Sequence, residues 1–363
     1  MTDVRQARED RRWMRRALAL ARRGWGRTAP NPLVGAVLVR EGRVVGAGWH
    51  AEYGGPHAEA MALAAAGDRA RGATAYVTLE PCAHYGKTPP CADALIRAGV
   101  ARVVVAIPDP NPVAAGGAAA LRDAGVPVDV GVEADAATWL NAPFLFAARG
   151  ATRPFVTLKL AVSVEGAIAP ASRTAQWLTG PLARREVHRM RAHADAIAVG
   201  IGTALADNPA LTVREVAPPR VPPVRVVFDR RGRLPLGSAL AASARDVPVW
   251  VVASPAAADT TVAALEGVGV AVLRCDDLGA ALATLRGRGV RHLLVEGGSG
   301  IAEALLTGGF VDRVAIFQSS VRLGAGAVPA FGRLGSTLPA GWRPCVNRRV
   351  GADVLTVYAP APR

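Results

Sequence analysis

Three residues between positions 57 and 91 have the types and order to hold one metal ion. They are His57, in His57-Ala58-Glu59, then Cys82 directly after Pro81, and Cys91 after Pro89-Pro90. One imidazole and two thiolates suit zinc, and three protein ligands leave a fourth tetrahedral position for water, the mark of a catalytic site. Zinc lowers the pKa of such a water and makes a nucleophile available at neutral pH. Glu59, two residues past His57, is then placed to carry protons between that water and a substrate. Taken singly, a His-x-Glu or a Pro-Cys is common, and two cysteines with a histidine also occur in cores and in structural zinc sites. The ordered set is far rarer by chance.

The surrounding pattern says what positions these groups. The apolar run His57–Ala66 reads as a helix opened by His57, and Thr74–Glu80 as a β-branched strand ending at Pro81-Cys82. Cys91 opens the helical stretch Ala92–Ala98, where the positive end of the helix dipole favours a thiolate. Upstream, Arg11–Arg23 is an amphipathic helix with Trp13, Met14, Ala17, Leu18 and Ala21 at helical spacing. Leu33–Arg40 and Arg43–Gly48 are strands joined at Glu41-Gly42, a hairpin signal. That hairpin delivers Asn31 at its entrance and His50 at its exit. Arg102–Ile107 and Val126–Val130 are further strands, separated by the turn Asp109–Pro112 and a helix at Ala115–Ala124. Strands alternating with helices predict an α/β sandwich on one mixed sheet. Trp139–Ala148 reads as a connector, so residues 1–148 form a first domain and 149–363 a second.

The second domain begins at Arg153-Pro154 with the strand Phe155–Ala161. A helix at Arg184–Ala194, a strand at Ala196–Val199 and a polar-ended loop from Thr203 to Arg214 follow. Val224–Asp229, Val249–Ala253 and Val270–Arg274 are strands and Leu278–Arg286 a helix. The strand His292–Glu296 then runs into Gly297-Gly298-Ser299-Gly300 and the helix Ile301–Leu306. A strand, a glycine turn and a helix N-terminus make an anion cradle, because exposed N–H groups and the helix dipole face the ligand. The GxGxxG of a Rossmann fingerprint is absent.

The metal-ligand order resembles that of zinc-dependent nucleobase deaminases, whose usual Pro-Cys-x-x-Cys is lengthened here by HYGKTPP. The insert brings His84, Lys87 and Thr88, which suit an anionic, oxygen-rich substrate. Together with Thr28-Ala29-Pro30-Asn31-Pro32-Leu33-Val34-Gly35 it resembles the bifunctional riboflavin-biosynthesis deaminase/reductase family. LKLAVSVEG, QWLTG, LADNPALTVR and LVEGGSG resemble, in order, the reductase half of that family. The resemblance implies a cytidine-deaminase-like α/β/α sandwich followed by a dihydrofolate-reductase-like α/β domain, with Zn2+ and NADPH as cofactors. It places Asn31, His50, His84, Lys87 and Thr88 on the deaminase substrate. It places Ala161, Trp177, Thr203, Asp207 and the turn Leu294, Val295, Gly297, Gly298, Ser299 and Gly300 on NADPH. Lys159, Arg191, Leu211, Arg214 and Glu296 fall on the reductase substrate, where arginines make physical sense as bidentate donors to a phosphate. Each arginine alone would more commonly be a solvated charge. The sequence departs from the family at Glu165, where an Asp is usual, at Ala175, where a Ser is frequent, at Ala118, where a Gly is usual, and in the loop Pro170–Thr174. The implied partner is a small phosphorylated pyrimidine, and the resemblance allows for a homo-oligomer.

Composition sets limits on the rest. The 363 residues, 51% of them apolar, can build two ordinary domains. Four cysteines do not make a disulfide framework, and Cys275 and Cys345 read as inert buried thiols. A charged N-terminal stretch and the lack of a long apolar run predict no cleavable signal and no membrane span. A reducing cytoplasm is the expected compartment. The formal charge of +14 raises a nucleic-acid reading, an editing deaminase with a basic binding domain. Only Lys87 and Lys159 are lysines, however, and the arginine excess looks like genomic bias on solvated positions rather than a basic stripe. A zinc-stabilised structural protein is the third reading. The insert and the reductase-like motifs argue against both, so no nucleic acid and no membrane are expected as partners.

Overall fold

The computed structural model describes residues 2–84, 89–174 and 176–361. It divides into two compact units, Met1–Ala151 and Thr152–Arg363.

The first unit opens with helix α1 (Thr2–Ala21), longer than its apolar stripe alone predicts. Trp13, Met14, Ala17, Leu18 and Ala21 are buried against the sheet. Strands β1 (Gly35–Arg40) and β2 (Arg43–Trp49) form the expected hairpin, with Glu41 and Gly42 both at positive φ in its turn. Helix α2 (Ala58–Ala66), strand β3 (Thr74–Val77), helix α3 (Cys91–Arg97) and strand β4 (Arg102–Val105) come next. Helix α4 (Gly117–Asp123) and strand β5 (Val128–Val130) complete the sheet, whose order is β2-β1-β3-β4-β5. β1 is antiparallel to both β2 and β3, and β3, β4 and β5 run parallel. α2 lies unusually close to β2. A Cβ at Gly48 would stand 2.5 Å from the Ala58 carbonyl oxygen, so only glycine admits the helix there. Trp139–Ala148 is not a connector: it falls within helices α5 (Ala134–Leu140) and α6 (Ala142–Ala148). Leu140 and Leu145 are buried in the core with Met14 and Val37, which the apolar spacing across Asn141 dictates.

The second unit contains β6 (Phe155–Val162), β7 (Ala167–Ala169), α7 (Pro181–Ala192), β8 (Ala196–Gly200) and α8 (Ile201–Asp207). Thr203–Asp207 is therefore helix, and the loop begins only at Asn208. Next come β9 (Val224–Phe228), α9 (Ala239–Ala242), β10 (Val249–Ala253), α10 (Asp259–Gly267), β11 (Ala271–Arg274), α11 (Leu278–Gly287), β12 (His292–Glu296) and α12 (Ser299–Thr307). The chain closes with β13 (Arg313–Gln318), β14 (Val328–Pro329), β15 (Trp342–Val350) and β16 (Asp353–Pro360). Nine strands make one sheet in the order β11-β10-β9-β8-β12-β6-β13-β16-β15. The strands from β11 to β13 are parallel, while β16 and β15 are added antiparallel. β12 is buried along its whole length, as a central parallel strand covered on both faces must be. It is inserted between β8 and β6, and its successor β13 lies on the far side of β6. Such a reversal opens a crevice at the carboxyl ends of the strands. Of the two remaining cysteines, Cys275 is buried as expected. Cys345 is exposed, because it sits on β15 at the edge of the sheet. No helix among the described residues is long and apolar enough to cross a membrane.

Candidate functional site

In the first unit, the groups that could hold a metal come together where strands hand over to helices. His57 is the residue before α2, Cys82 comes after β3, and Cys91 is the first residue of α3. His57 Nδ1 lies 3.3 Å from Cys91 Sγ and 3.6 Å from Cys82 Sγ, and the three ligand atoms all lie within 4.8 Å of one another. Tetrahedral zinc at ordinary bond lengths sets a nitrogen and a sulfur ligand about 3.6 Å apart, so the donor set and its spacing fit this ion. The Cys91 amide donates to Cys82 Sγ over 3.4 Å. The side-chain hydrogen bond from Cys91 draws the Cys82 thiol down to about 4, while the Cys91 thiol is pushed up by the same contact and by burial.

Glu59, in the first turn of α2, is 4% exposed. Burial pushes its carboxyl up to about 7, where it can both hold and release a proton near neutrality. Asn31 and His50 also meet. The His50 Nδ1–H donates to the Pro56 carbonyl oxygen over 3.0 Å, which leaves Nε2 to accept from Asn31 Nδ2 at 3.2 Å. Both ring nitrogens of His50 are therefore engaged within the chain. His50 thus holds the Asn31 side chain. His84 lies two residues past Cys82, and its buried Nδ1 has no partner among the described residues. Lys87 and Thr88 lie outside the described residues.

Two positioning groups here were not singled out from the sequence. Glu80 receives the Asp109 amide on Oε2 at 3.1 Å and the Gly116 and Ala118 amides on Oε1 at 3.2 and 2.9 Å. It folds that loop onto the ligands, where Ala114 packs with Cys82 and Cys91. An acid at the end of a strand just before Pro81-Cys82 was the available signal. Ala118, in place of the usual glycine, supplies its amide to Glu80 without difficulty. Asn141 is 3% exposed and clamps Leu33, accepting its N–H at 2.8 Å and donating to its carbonyl at 2.9 Å. Nothing local in the sequence links positions 33 and 141.

In the second unit, the carboxyl ends of β6 and β12 bring Lys159 and Glu296 side by side. Lys159 Nζ is 3.9 Å from Glu296 Oε2, and Arg191, on α7, grips Glu296 through Nε at 2.5 Å and Nη2 at 3.0 Å. All three side chains are nearly buried. Burial lowers the Lys159 ammonium, against the pull of Glu296. For Glu296, burial alone would raise the carboxyl, but the charge and hydrogen bonds of Arg191, with Lys159, bring it net below its ordinary value. Arg191 Nη1 also donates to the Thr212 carbonyl at 2.9 Å, and Arg214 donates its amide to His188 Nδ1 at 3.1 Å and Nη1 to Thr212 Oγ1 at 2.7 Å. Asp207 acts electrostatically on Lys159.

After Glu296 the chain turns through Gly297 and Gly298, both at positive φ, and enters α12. A Cβ on Gly298 would stand 2.8 Å from Thr203 Oγ1, so Thr203 and this turn are in close contact. Ser299 is half-buried and Gly300 exposed, leaving the start of α12 open for an anionic or nucleotide ligand. Ala161 is half-buried on β6, and Trp177 is 78% exposed with the Arg184 guanidinium over its ring. Three of the expected contacts cannot be made by side chains. The side chains of Leu294 and Val295 are fully buried, because β12 is covered on both faces, which leaves only their backbone for a cofactor. Leu211 is 3% exposed and packed with Ile197 and Leu240, which leaves only its backbone for a substrate. Ala175 lies outside the described residues.

Known proteins carry the same two-part arrangement. Residues 7–107 match the cytidine and deoxycytidylate deaminase zinc-binding region, and residues 154–355 match the RibD C-terminal domain. The chain is thus of the class that joins a zinc-dependent deaminase to an NADPH-dependent reductase in one polypeptide. The riboflavin biosynthesis protein RibD of Aquifex aeolicus is 43% identical over 318 residues, which cover 87% of this chain and 88% of that protein. Acinetobacter baumannii RibD superposes with a TM-score of 0.80 at 38% identity, over 98% of this chain and 100% of that one. A Thermotoga maritima structure titled diaminohydroxyphosphoribosylaminopyrimidine deaminase/5-amino-6-(5-phosphoribosylamino)uracil reductase gives a TM-score of 0.82 at 35% identity, with the same coverage. The chain belongs to the RibD family, the bifunctional deaminase/reductases of riboflavin biosynthesis.

Proposed function

We propose that the first unit removes the ring amino group of 2,5-diamino-6-ribosylamino-4(3H)-pyrimidinone 5′-phosphate. The second unit then reduces the ribosyl chain, giving 5-amino-6-ribitylamino-uracil 5′-phosphate. The observation that carries this reading is the convergence of His57 Nδ1, Cys82 Sγ and Cys91 Sγ beside buried Glu59, in a chain that also closes Lys159, Arg191 and Glu296 over a glycine turn.

His57, Cys82 and Cys91 hold zinc, which supplies the polarisation that makes water nucleophilic near neutral pH. Glu59 would take the two protons of the attacking water in turn, giving one to the ring nitrogen and the other to the departing amine, so that water and amidine carbon become carbonyl and ammonia. A carboxyl poised near 7 suits both directions of transfer. Asn31, held by His50, presents its amide to the pyrimidinone, and His84, Lys87 and Thr88 complete the recognition of the substrate. In the second unit NADPH supplies the reducing equivalent. Thr203, Gly297, Gly298 and the start of α12 seat the cofactor, with Ala161, Asp207 and Trp177 beside it. Lys159, Arg191, Arg214 and Glu296 orient the phosphorylated ribosyl chain.

The test monitors NADPH oxidation by absorbance with the diaminopyrimidinone ribosyl phosphate in one tube and its deaminated product in another. Oxidation in both, the first alone stopped by zinc chelation, is expected. Silence in both would remove the reductase reading. Glu59→Ala should abolish ammonia release while zinc stays bound, and release at the wild-type rate would show the proton carrier to be another group.

A further inference from the structure

Arg225, the second residue of β9, is 1% exposed, although the neighbouring Val224, Val226 and Val227 show what this strand ordinarily packs. No carboxylate lies within ion-pairing distance of it among the described residues, and Asp246 acts on it only at longer range. Its guanidinium is instead held by neutral acceptors. Nη1 donates to Ser243 Oγ at 2.7 Å and to the Ala210 carbonyl at 3.3 Å. Nη2 donates to the Ser243 carbonyl at 2.9 Å and to the Val247 carbonyl. Nε is buried with no partner among the described residues. A buried cation without a counter-charge is costly, and an apolar residue of similar size would serve packing better. Something other than packing accounts for it.

What Arg225 joins is informative. Its acceptors come from two separate segments, the turn Ser243–Val247 and the loop Asn208–Glu215. In that loop three non-glycine residues, Asn208, Leu211 and Glu215, stand at φ of 40°, 50° and 61°. L-residues rarely adopt this region, and a bulky leucine there persists only where the surroundings over-determine it. The loop also carries Thr212, whose carbonyl holds Arg191, and Arg214. Ala210 is the residue immediately before Leu211, so its carbonyl is where β9 takes hold of the loop.

We propose that Arg225 is a positioning residue for the reductase: by holding the Ala210 carbonyl it fixes the loop that sets Thr212, Arg191 and Arg214 against the phosphorylated pyrimidine. This rests on the reading of those residues as substrate-binding. Lysine at 225 keeps the charge but cannot bridge both segments with one ammonium as the planar guanidinium does.

The experiment uses the full chain and compares Arg225→Lys with Val226→Ala, a cavity variant of the same strand with no link to the loop. In Arg225→Lys the KM for the deaminated intermediate is expected to rise about tenfold, the weight of a lost charged hydrogen bond. The KM for NADPH and the rate of ammonia release stay at wild-type values, and amide exchange quickens in residues 208–215 but not in 292–300. Val226→Ala loses thermal stability without moving the KM for the intermediate. An equal rise in both variants, or none in Arg225→Lys, overturns the proposal. Arg191→Ala and Arg214→Ala separate it from its premise. If both leave that KM unchanged, the pocket reading falls and the proposal with it. If either raises it while Arg225→Lys does not, only the proposal falls. Should Arg225→Lys not accumulate folded, Ser243→Ala removes one acceptor of the same Nη1 and must raise the same KM to a smaller degree. No rise there overturns the proposal equally.

Discussion

Replacing Glu296 by glutamine keeps the shape of the side chain and removes the carboxylate that pairs with both Lys159 and Arg191. At an effective dielectric near 20, an ion pair at the 3.9 Å separation of Lys159 Nζ and Glu296 Oε2 is worth about 4 kcal/mol. Stranding a buried partner costs ~3–5 kcal/mol, and here two cations are stranded together. For a domain of this size each kcal/mol moves the melting temperature by roughly 2–4 °C, so the reductase unit should melt about 10 °C lower. Calorimetry from mild acid to mild alkali, wild type against Glu296→Gln, measures it. The difference should depend on pH in a defined way. Glu296 has a folded pKa below its ordinary 4.5, so its contribution is fully present above that value and is lost as pH falls through the folded pKa. Lys159 is lowered from its ordinary 10.5 by burial, so its charge burdens the fold below the folded pKa and the burden lifts as pH rises beyond it. Loss of Glu296 lowers Lys159 further, so the variant recovers earlier in alkali. The gap between the proteins should be widest near neutrality and narrow on both sides. A melting temperature unchanged at neutral pH would mean that the three charges are hydrated and that no buried pair exists.

Chelation of zinc should stop deamination while the already deaminated compound is still reduced, since the ligands lie wholly in the first unit; loss of both activities together would contradict that separation. Gly298→Ala places a methyl 2.8 Å from Thr203 Oγ1 at a φ of 67°. The backbone penalty alone is about 1–2 kcal/mol, so the KM for NADPH should rise about tenfold, and Thr203→Ala in the same chain should recover part of it. An unchanged KM would show that this turn does not meet the cofactor. Glu80→Gln leaves one of three backbone amides facing an NH2 group, at a cost of about 1–3 kcal/mol. Because Ala114 would loosen over Cys82 and Cys91, zinc should be lost faster on dialysis, and wild-type retention of the metal would refute the role given to Glu80.

What could be read in the sequence was what is local. The ligand residues, the hairpin turn at Glu41-Gly42 and the strand, glycine turn and helix from His292 to Thr307 each show their pattern within a few residues, and each stands where the spacing places it. What could not be read depends on distant partners. Asn141 is ordinary until Leu33 lies against it, and the segment around it reads as a connector because Asn141 and Pro143 interrupt its apolar run. Thr203–Asp207 is short and runs into Asn208-Pro209, so it reads as loop, and it is the end of a helix whose Ile201 and Ala204 are buried in the core. At Leu294, Val295 and Leu211 the side chains are buried, so any contact carried over to them falls to their backbone. A motif marks which stretch of backbone approaches a ligand, whereas burial decides which side chains can.

Both sites use one device. In the first unit β3 delivers Glu80 and Cys82 from its carboxyl end, while Cys91 opens the next helix. In the second, β12 delivers Glu296 and passes through Gly297 and Gly298 into α12, with Lys159 beside it on β6. At the carboxyl end of a parallel strand the ladder ceases to consume backbone groups, and the incoming helix turns unpaired N–H groups the same way. The two junctions differ in what the chemistry requires. Holding a metal calls for side chains on fixed backbone, which Glu80 secures by gathering three amides. Admitting a nucleotide calls for bare backbone, which Gly297 and Gly298 supply. The sequence difference between Glu-Pro-Cys and Glu-Gly-Gly after a buried strand is therefore a difference in function, read at the same place in each fold.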